Sequence, residues 1–307
     1  MSIKHQIKQV VIWGHKLHSH THSYIHYGFV KGFKHLGYTT YWLDNSDNIT
    51  NIDFDNSLFI TEGHVDKNIP INHTSYYVLH NCNFDKYRSL DLSKIVNLQV
   101  YTLDAHKYNA KPIVNTKGCY HLSDCILIPW ATDLLPNEIN KNIQNLDNIL
   151  GSNKNKVYLV GMSIYPWDEV LKYCSNHKIE YRQIGGFSNN NVSCEENMRL
   201  IQTSIVAPAV QNEWQVSNGY IPCRIFKNIS YGKMGLTNNK TVSELFDNKI
   251  FYHENVHELM DLGIEFENKD IEYKKSILIP LMENVRDNHT YLNRIDIIFR
   301  HFDKELL

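Results

Sequence analysis

A series of short apolar runs, each followed by a glycine or a polar residue, constrains the fold of this chain more than any other feature. Runs of this length, bounded by Asn, Asp, Gly or Pro, are typical of buried strands. The predicted strands of the first half are residues 9–13, 38–43, 57–61, 75–79, 98–103 and 125–128. Apolar residues at helical spacing predict a helix over residues 23–36, which ends before Gly37. Strands separated by connecting segments predict a mostly parallel sheet with both faces covered.

The pattern starts again in the second half, where the predicted strands are residues 156–160, 179–184, 204–208, 233–237 and 249–252. A chain of 307 residues is long enough for two domains of roughly 150 residues each. We therefore predict an α/β fold of two Rossmann-like domains that face each other across a cleft. The predicted parts are a first domain over 1–135, a linker over 136–155, a second domain over 156–285, and a C-terminal helix over 286–307 that can pack back on the first domain.

Composition excludes several classes of partner. The formal net charge is -2 and the pI is about 6.8, so no overall basic field exists that could hold nucleic acid or an anionic membrane. The N-terminal residues lack the apolar core of a signal peptide, and no run approaches a membrane span. The six cysteines form no C-x-x-C pair, which favours reduced thiols. We expect a cytoplasmic protein without a membrane span.

The stretch of residues 218–239 contains a helix that could bind an anion. Pro222 suits the first turn of a helix and Gly232 suits the residue after its end, which predicts a helix over residues 222–231. Arg224, Lys227 and Tyr231 share one face of this helix, whereas the other face is apolar. A helix N-terminus that also carries cations attracts a negatively charged ligand. An amphipathic helix with solvated basic residues explains the same pattern. This stretch alone therefore does not distinguish an anion-binding helix from an ordinary surface helix.

Ligands of parallel sheets lie beyond the carboxyl ends of the strands, and several titratable residues follow the predicted strands of the first half. The loop after the first strand holds His15, His18, His20, His22 and His26. So dense a group of imidazoles could bind a transition metal, could supply an acid or base, or could simply be solvated. No carboxylate or cysteine within this loop completes a metal site, so we expect no bound metal.

Four pieces of the sequence resemble the small GT-B-fold glycosyltransferases of the family 1/4-like and CgeB-like kind. The first is HSYIHYGF at residues 22–29 with GFKHLGYTTYWLD at 32–44, which resembles the opening of the acceptor domain. The second and third are IPWATD at 128–133 and VYLVG at 157–161, at the hinge and at the start of the donor domain. The fourth, residues 219–246, carries a Pro-x-Arg-x-Phe pattern followed by a strand and a short helix, as in the donor-binding segment.

The resemblance implies a nucleotide-sugar site in the fourth piece. Arg224 and the N-terminus of its helix would bind the diphosphate, and Gly219 and Tyr220 would lie beside the sugar or nucleoside. Many relatives have a Glu at the position of Lys227, with Glu244 one possible substitute for its contact to ribose. The complete set of implied donor-binding residues is Gly219, Tyr220, Pro222, Arg224, Lys227, Tyr231, Thr237, Asn238, Asn239 and Glu244. The resemblance also implies that neither a metal nor another cofactor is needed.

The function implied is transfer of a sugar from a UDP- or GDP-type nucleotide sugar to a hydroxyl of a glycan or polysaccharide. An inverting enzyme needs a base on the acceptor side, whereas a retaining enzyme needs none. The candidate bases are His22, His26, Glu62 and His80. Two alternatives remain: a sugar-nucleotide epimerase of the same fold, and a catalytically silent module that binds a nucleotide or glycan. Lys227 at the usual Glu position is what favours the silent module.

Overall fold

A computed structural model describes residues 2–16, 21–101, 124–152, 154–161, 165–185 and 192–304. The chain divides into two compact units. The first unit comprises the described residues up to Pro129, except Thr21, and those from Tyr291 onward, and the second comprises Thr21 and the described residues of 130–290. The prediction of an α/β protein is confirmed, because strands and helices alternate along the chain.

The first unit is built on a six-stranded parallel sheet with strand order β2-β1-β3-β4-β5-β6. Its strands are β1 (Gln9–Trp13), β2 (Thr39–Leu43), β3 (Ser57–Glu62), β4 (Tyr76–His80), β5 (Ile95–Gln99) and β6 (Asp124–Leu127). Trp13 is in register with Leu43 and Thr61, and Glu62 is in register with His80. The carboxyl ends of β1, β3 and β4 therefore lie side by side.

Burial on both faces explains why these strands are continuous apolar runs rather than alternating ones. Every residue of β3 is buried, and the rings of Phe59 and Tyr77 on neighbouring strands stack with centroids 4.9 Å apart. Helix α1 (Thr21–His35) contributes Ile25, Phe29 and Phe33 to the core. It starts two residues before the predicted helix and ends one residue earlier.

The last helix of the chain is α11 (Tyr291–Phe302). It belongs to the first unit and packs on α1. A Cβ atom at Gly28 would lie 2.2 Å from the ring of Tyr291, so only glycine allows this close approach. The Arg294 Nε atom donates to the Pro129 carbonyl at 2.7 Å, and the Asp303 carboxylate accepts from the Ile3 amide at 2.6 Å. These contacts join α11 to the segment that follows β6 and the residues after α11 to the N-terminal turn.

The second unit contains two short parallel sheets surrounded by helices. Its strands are β7 (Lys156–Val160) paired with β8 (Glu180–Ile184), and β9 (Leu236–Thr237) paired with β10 (Phe251–Tyr252). Its helices are α2 (Pro136–Gln144), α3 (Leu146–Gly151), α4 (Trp167–Asn176), α5 (Cys194–Gln202), α6 (Glu213–Ser217), α7 (Cys223–Ser230), α8 (Lys240–Leu245), α9 (Val256–Glu267) and α10 (Ile271–Asn288). One apolar core of this unit collects side chains from most of these elements.

Three strand predictions of the second half differ from the structure. Residues 204–208 do not form a strand: the Ile205 amide donates to the Lys156 carbonyl at 2.8 Å, but the Tyr158 amide donates to the Ser204 hydroxyl at 3.3 Å rather than to a backbone carbonyl. A bridge pairs Pro208 with Leu236. The strands predicted over 233–237 and 249–252 are reduced to β9 and β10. Lys233, at the start of the predicted strand, lies outside β9, and its side chain is buried.

Within the described ranges, no helix combines the length and the apolar character that crossing a bilayer requires.

Candidate functional site

Helix α7 presents an open N-terminus in the second unit. Its N-cap is Pro222, which has no side-chain acceptor for the first-turn amides, and it ends before Gly232, whose φ is 90°. Ile225, Phe226 and Ile229 are fully buried and fix the helix in the core. The predicted helix is therefore present, with Pro222 as the cap rather than the first helical residue. Its amides and the positive end of its dipole favour a negative group.

Arg224 is held at the carboxyl end of β7. One guanidinium nitrogen, Nη2, donates to the Val160 carbonyl at 3.3 Å, and the guanidinium carbon lies 4.9 Å from the ring centroid of Trp167. Gly161, directly after β7, has φ 131°, which favours glycine, and a Cβ there would be in ordinary contact with Nη2, at 3.4 Å. Loss of hydration lowers the pKa of Arg224. Among the described residues, no carboxylate lies within 4.0 Å of this cation.

Lys227 and Tyr231, predicted on the same helix face, instead meet Asp133. The Tyr231 hydroxyl donates to Asp133 Oδ1 at 2.6 Å, and Lys227 Nζ lies 3.7 Å from Asp133 Oδ2. Burial, with the nearby carboxylate, raises the pKa of Tyr231 well above its usual value. A hydrogen bond of 2.7 Å between the hydroxyls of Thr132 and Ser230 joins the same two segments. These side chains anchor α7 to the chain that leads into α2.

Side-chain amides fasten the loop before α7 to the loop after β9. Asn238 exchanges two bonds of 2.8 Å with the backbone of Gln211. Asn239 donates to the Tyr220 carbonyl at 3.1 Å and caps α8 through the Thr241 amide at 3.0 Å. The hydroxyl of Thr237, fully buried, accepts from the Asn239 amide at 3.1 Å. The amide side chains of the two asparagines thus hold the backbone that carries Tyr220.

The two remaining residues of the predicted donor set lie at the edges of this region. Gly219 is buried and adopts the left-handed φ of 63° that favours glycine. Glu244 lies on the exposed side of α8, with its carboxylate 3.8 Å from Lys240 Nζ.

A second group of polar side chains lies in the first unit, where β1, β3 and β4 end. His15, directly after β1, has φ 57°, and its Nε2 atom lies 3.0 Å from Glu62 Oε2 at the end of β3. The same oxygen accepts from the His64 amide at 3.2 Å. Glu62 is only 1% exposed, and its other oxygen lies 3.5 Å from His64 Nε2. A buried carboxylate is thus surrounded by imidazole groups.

The other three predicted bases are beside this pair. The His22 ring stacks on His15 with centroids 5.2 Å apart and lies 5.8 Å from the His80 ring. His26 Nδ1 donates to the Gly14 carbonyl at 2.8 Å, and His80 Nδ1 donates to the Leu98 carbonyl at 3.0 Å. The structure therefore brings His22, His26, Glu62 and His80 into one cluster. His18 and His20 lie outside the described residues.

Burial sets the charges in this cluster. It lowers the pKa of His26 to about 4 and also lowers the pKa of His80. Burial alone would raise the pKa of Glu62, but the hydrogen bond from His15 and the charge of His64 hold it below its usual value. At neutral pH the cluster thus combines an ionised carboxylate with the neutral imidazoles of His26 and His80.

Neither the protein-family models nor the curated proteins include a match to this chain. Among solved structures, it is similar to the alpha,alpha-trehalose 6-phosphate synthase of Burkholderia multivorans. The TM-score is 0.47 at 10% sequence identity, over 93% of this chain and 76% of that one.

Trp167, Asp133 and Gln211 were missed in the sequence. Each belongs to a different segment from the residue it contacts. Asp133 ends the IPWATD piece, but nothing in that piece indicates its contact with Tyr231, 98 residues later. The pairing of Glu62 with His15 was also not predicted, because the two residues are 47 positions apart. Parallel pairing of β1 with β3 is the signal that brings them together.

Proposed function

We propose that this protein transfers a sugar from a nucleotide-diphosphate sugar to a hydroxyl of a glycan or polysaccharide, with the second unit binding the donor. The observation that carries the proposal is the cation of Arg224, held beside the open N-terminus of α7 at the end of β7. A half-buried guanidinium with no carboxylate nearby, among the described residues, is suited to an anionic ligand. The Pro-x-Arg-x-Phe segment that resembles a donor-binding motif supports the same function.

The chemistry requires stabilisation of the leaving group. Sugar transfer develops charge on a nucleoside diphosphate, and preorganised donors in a site poor in water stabilise such charge. Arg224 and the first-turn amides of α7 would supply this, so the diphosphate would need no metal ion. Lys227 would contribute at longer range, because its charge is partly balanced by Asp133. Tyr220 would contact the nucleoside or the sugar, on a backbone fixed by Asn239 and Gln211.

The first unit would activate the acceptor in an inverting reaction. His22 is the accessible member of the four proposed bases, since His26, His80 and Glu62 are buried. A neutral imidazole can take a proton from a hydroxyl. Ionised Glu62 and its partner His15 would stabilise the positive charge that forms on His22. The two units would then correspond to the acceptor and donor domains of a GT-B enzyme.

A panel of UDP- and GDP-sugars, incubated with the protein without acceptor, tests the proposal. Slow release of the nucleoside diphosphate from one donor is the expected result. Conversion of a donor into its epimer would instead identify an epimerase, and tight binding without turnover would identify a silent binding module. The control for a substitution of Arg224 is Arg199→Ala on the exposed face of α5, where the arginine already pairs with Glu196. This variant should release product at the wild-type rate.

A further inference from the structure

We propose that the first unit binds a divalent transition-metal ion of the Zn²⁺ type through His15, His22 and Glu62. These three side chains each offer one ligand atom, and the three atoms lie within 4.8 Å of one another. The residues come from the end of β1, the first turn of α1 and the end of β3. The inference is independent of donor binding, because it uses residues of the first unit alone, and it departs from the sequence-based expectation that no metal is bound.

The distances fit such an ion. Imidazole nitrogen and carboxylate oxygen bind Zn²⁺ at about 2.0 to 2.2 Å, which places neighbouring ligand atoms of a tetrahedral site about 3.3 to 3.6 Å apart. His15 Nε2 and Glu62 Oε2 are 3.0 Å apart, so they need to separate by only a few tenths of an ångström, on the order of 0.3 to 0.6 Å, to bind the same ion. His22 completes the set by rotation of its half-buried side chain, whose ring is stacked on that of His15. An ion would replace the hydrogen bond between His15 and Glu62 with two coordinate bonds.

The charges of the site favour a cation. Glu62 is almost fully buried, and a buried carboxylate is stable in its charged form only when that charge is compensated. Its Oε1 atom is buried and, among the described residues, accepts no hydrogen bond; the His64 imidazole lies 3.5 Å away. That imidazole is 82% exposed and gives weak compensation. A divalent ion would neutralise the carboxylate directly.

The surrounding residues hold the site in shape. His15 has the left-handed φ of 57°, which directs the chain out of β1. The His26 Nδ1 atom and the Trp42 Nε1 atom both donate to the Gly14 carbonyl, at 2.8 Å each, directly before His15. Outer contacts of this kind orient the ligands of metal sites. His80 is oriented by Leu98 and Asn81 and lies outside the ligand set.

Two imidazoles and one carboxylate form a donor set typical of transition metals rather than of Mg²⁺ or Ca²⁺. Three protein ligands leave a coordination position for water or a hydroxyl, and such ions lower the pKa of what they bind there. With the ion bound, His22 is a ligand and no longer a free base. A bound ion would then polarise an acceptor hydroxyl in place of the His22 base.

Titration of the chelator-treated, full-length protein with Co²⁺ tests the site, followed by competition with Zn²⁺. Visible absorption of bound Co²⁺ should saturate at one equivalent and disappear when Zn²⁺ is added. Glu62→Gln keeps the shape of the side chain and removes its charge, and it should weaken binding by about 100-fold or more, since even outer-shell changes cost 10- to 100-fold. His22→Ala should weaken Co²⁺ binding to a similar extent, and it provides the same test if Glu62→Gln does not fold.

His35→Ala is the matched control, because His35 is an exposed histidine at the far end of α1. It should bind Co²⁺ as the wild type does. The proposal is overturned if the wild type binds no Co²⁺ or Zn²⁺, or if both Glu62→Gln and His22→Ala bind with unchanged affinity. No nucleotide or sugar is present, so failure of this test leaves the donor-site proposal standing, and failure of donor binding leaves the metal site standing.

Discussion

The hydroxyl of Tyr231 donates to Oδ1 of Asp133 over 2.6 Å, and both residues are buried. This bond holds the end of α7 against the segment that precedes α2. Lys227 approaches the other oxygen of the same carboxylate at 3.7 Å. Of the basic and aromatic face predicted for this helix, Arg224 is thus the member at the strand end, whereas Lys227 and Tyr231 secure the helix that carries it.

Tyr231→Phe should destabilise the protein by about 1 to 3 kcal/mol, because it leaves a buried carboxylate oxygen without its donor. The free energy of unfolding in urea measures the effect. Tyr165→Phe is the control, since Tyr165 is 65% exposed and its change should stay within about 0.5 kcal/mol. Equal stability of the two variants would show that the bond to Asp133 contributes nothing.

Lys233 should make the stability of the protein rise with pH above neutrality. It is 1% exposed, with Glu267 Oε1 at 3.8 Å from Nζ, and burial lowers its pKa to about 8. An unfolded lysine titrates near 10.4, so between about pH 8 and 10 the unfolded chain binds more protons than the folded one. In this window Lys233 makes the free energy of unfolding rise with pH by up to about 1.4 kcal/mol per pH unit.

Comparison of the wild type with Lys233→Met across that pH range isolates the contribution. The free energy of unfolding of the wild type should gain on that of the variant as the pH rises from 8 to about 10. Lys249→Met changes an exposed lysine and should run parallel to the wild type. A constant difference between wild type and Lys233→Met would mean that the pKa of Lys233 is not lowered.

His22→Ala should lower the turnover of sugar transfer by roughly 100-fold or more, the scale of a lost general base, with donor affinity near that of the wild type. The loss is expected whether His22 acts as a base or as a metal ligand. The measurement is kcat at saturating donor, beside donor affinity determined by calorimetry. His35→Ala should leave both unchanged. Normal turnover of His22→Ala would show that another residue activates the acceptor.

Chelation should leave donor binding unchanged, because Arg224 and the helix N-terminus, rather than Mg²⁺, are proposed to hold the diphosphate. The affinity for UDP or GDP, measured by calorimetry with and without EDTA, provides the test. A loss of affinity in EDTA that Mg²⁺ restores would show that the phosphates bind through a metal. Removal of an ion from His15, His22 and Glu62 does not affect this measurement, since no phosphate contact is assigned to them.

Local signals in the sequence predicted five of the six strands of the parallel sheet closely, whereas the strand predicted over 98–103 overlaps β5 only at residues 98 and 99. The strand over residues 9–13 is confirmed without change, because four of its five residues are buried and apolar. The helix of Arg224 was also predicted, since Pro222 and Gly232 mark its ends. Residues 204–208 were wrongly predicted as a strand, because apolar content alone cannot show that the Ser204 hydroxyl takes the place of a backbone acceptor.

The candidate sites were harder to predict because their chemistry depends on contacts between distant segments. Position after a strand was enough to select Glu62 and His80, which the register places side by side. The pairing of Glu62 with His15 required the order of the strands. The burial that lowers the pKa of His26 and His80 also depends on how these distant segments pack. The roles of the predicted donor residues remain predictions.

Binding of UDP and uridine, or GDP and guanosine, to wild type and Arg224→Ala tests the central claim most directly. A charge-assisted hydrogen bond to phosphate contributes about 1.5 to 3 kcal/mol, so loss of the guanidinium should weaken diphosphate binding by about 10- to 150-fold. Nucleoside binding should change little, and Arg199→Ala should change neither. Equal weakening of nucleoside and nucleoside diphosphate by Arg224→Ala, or unchanged affinity for both, would contradict the assignment of Arg224 to the donor diphosphate.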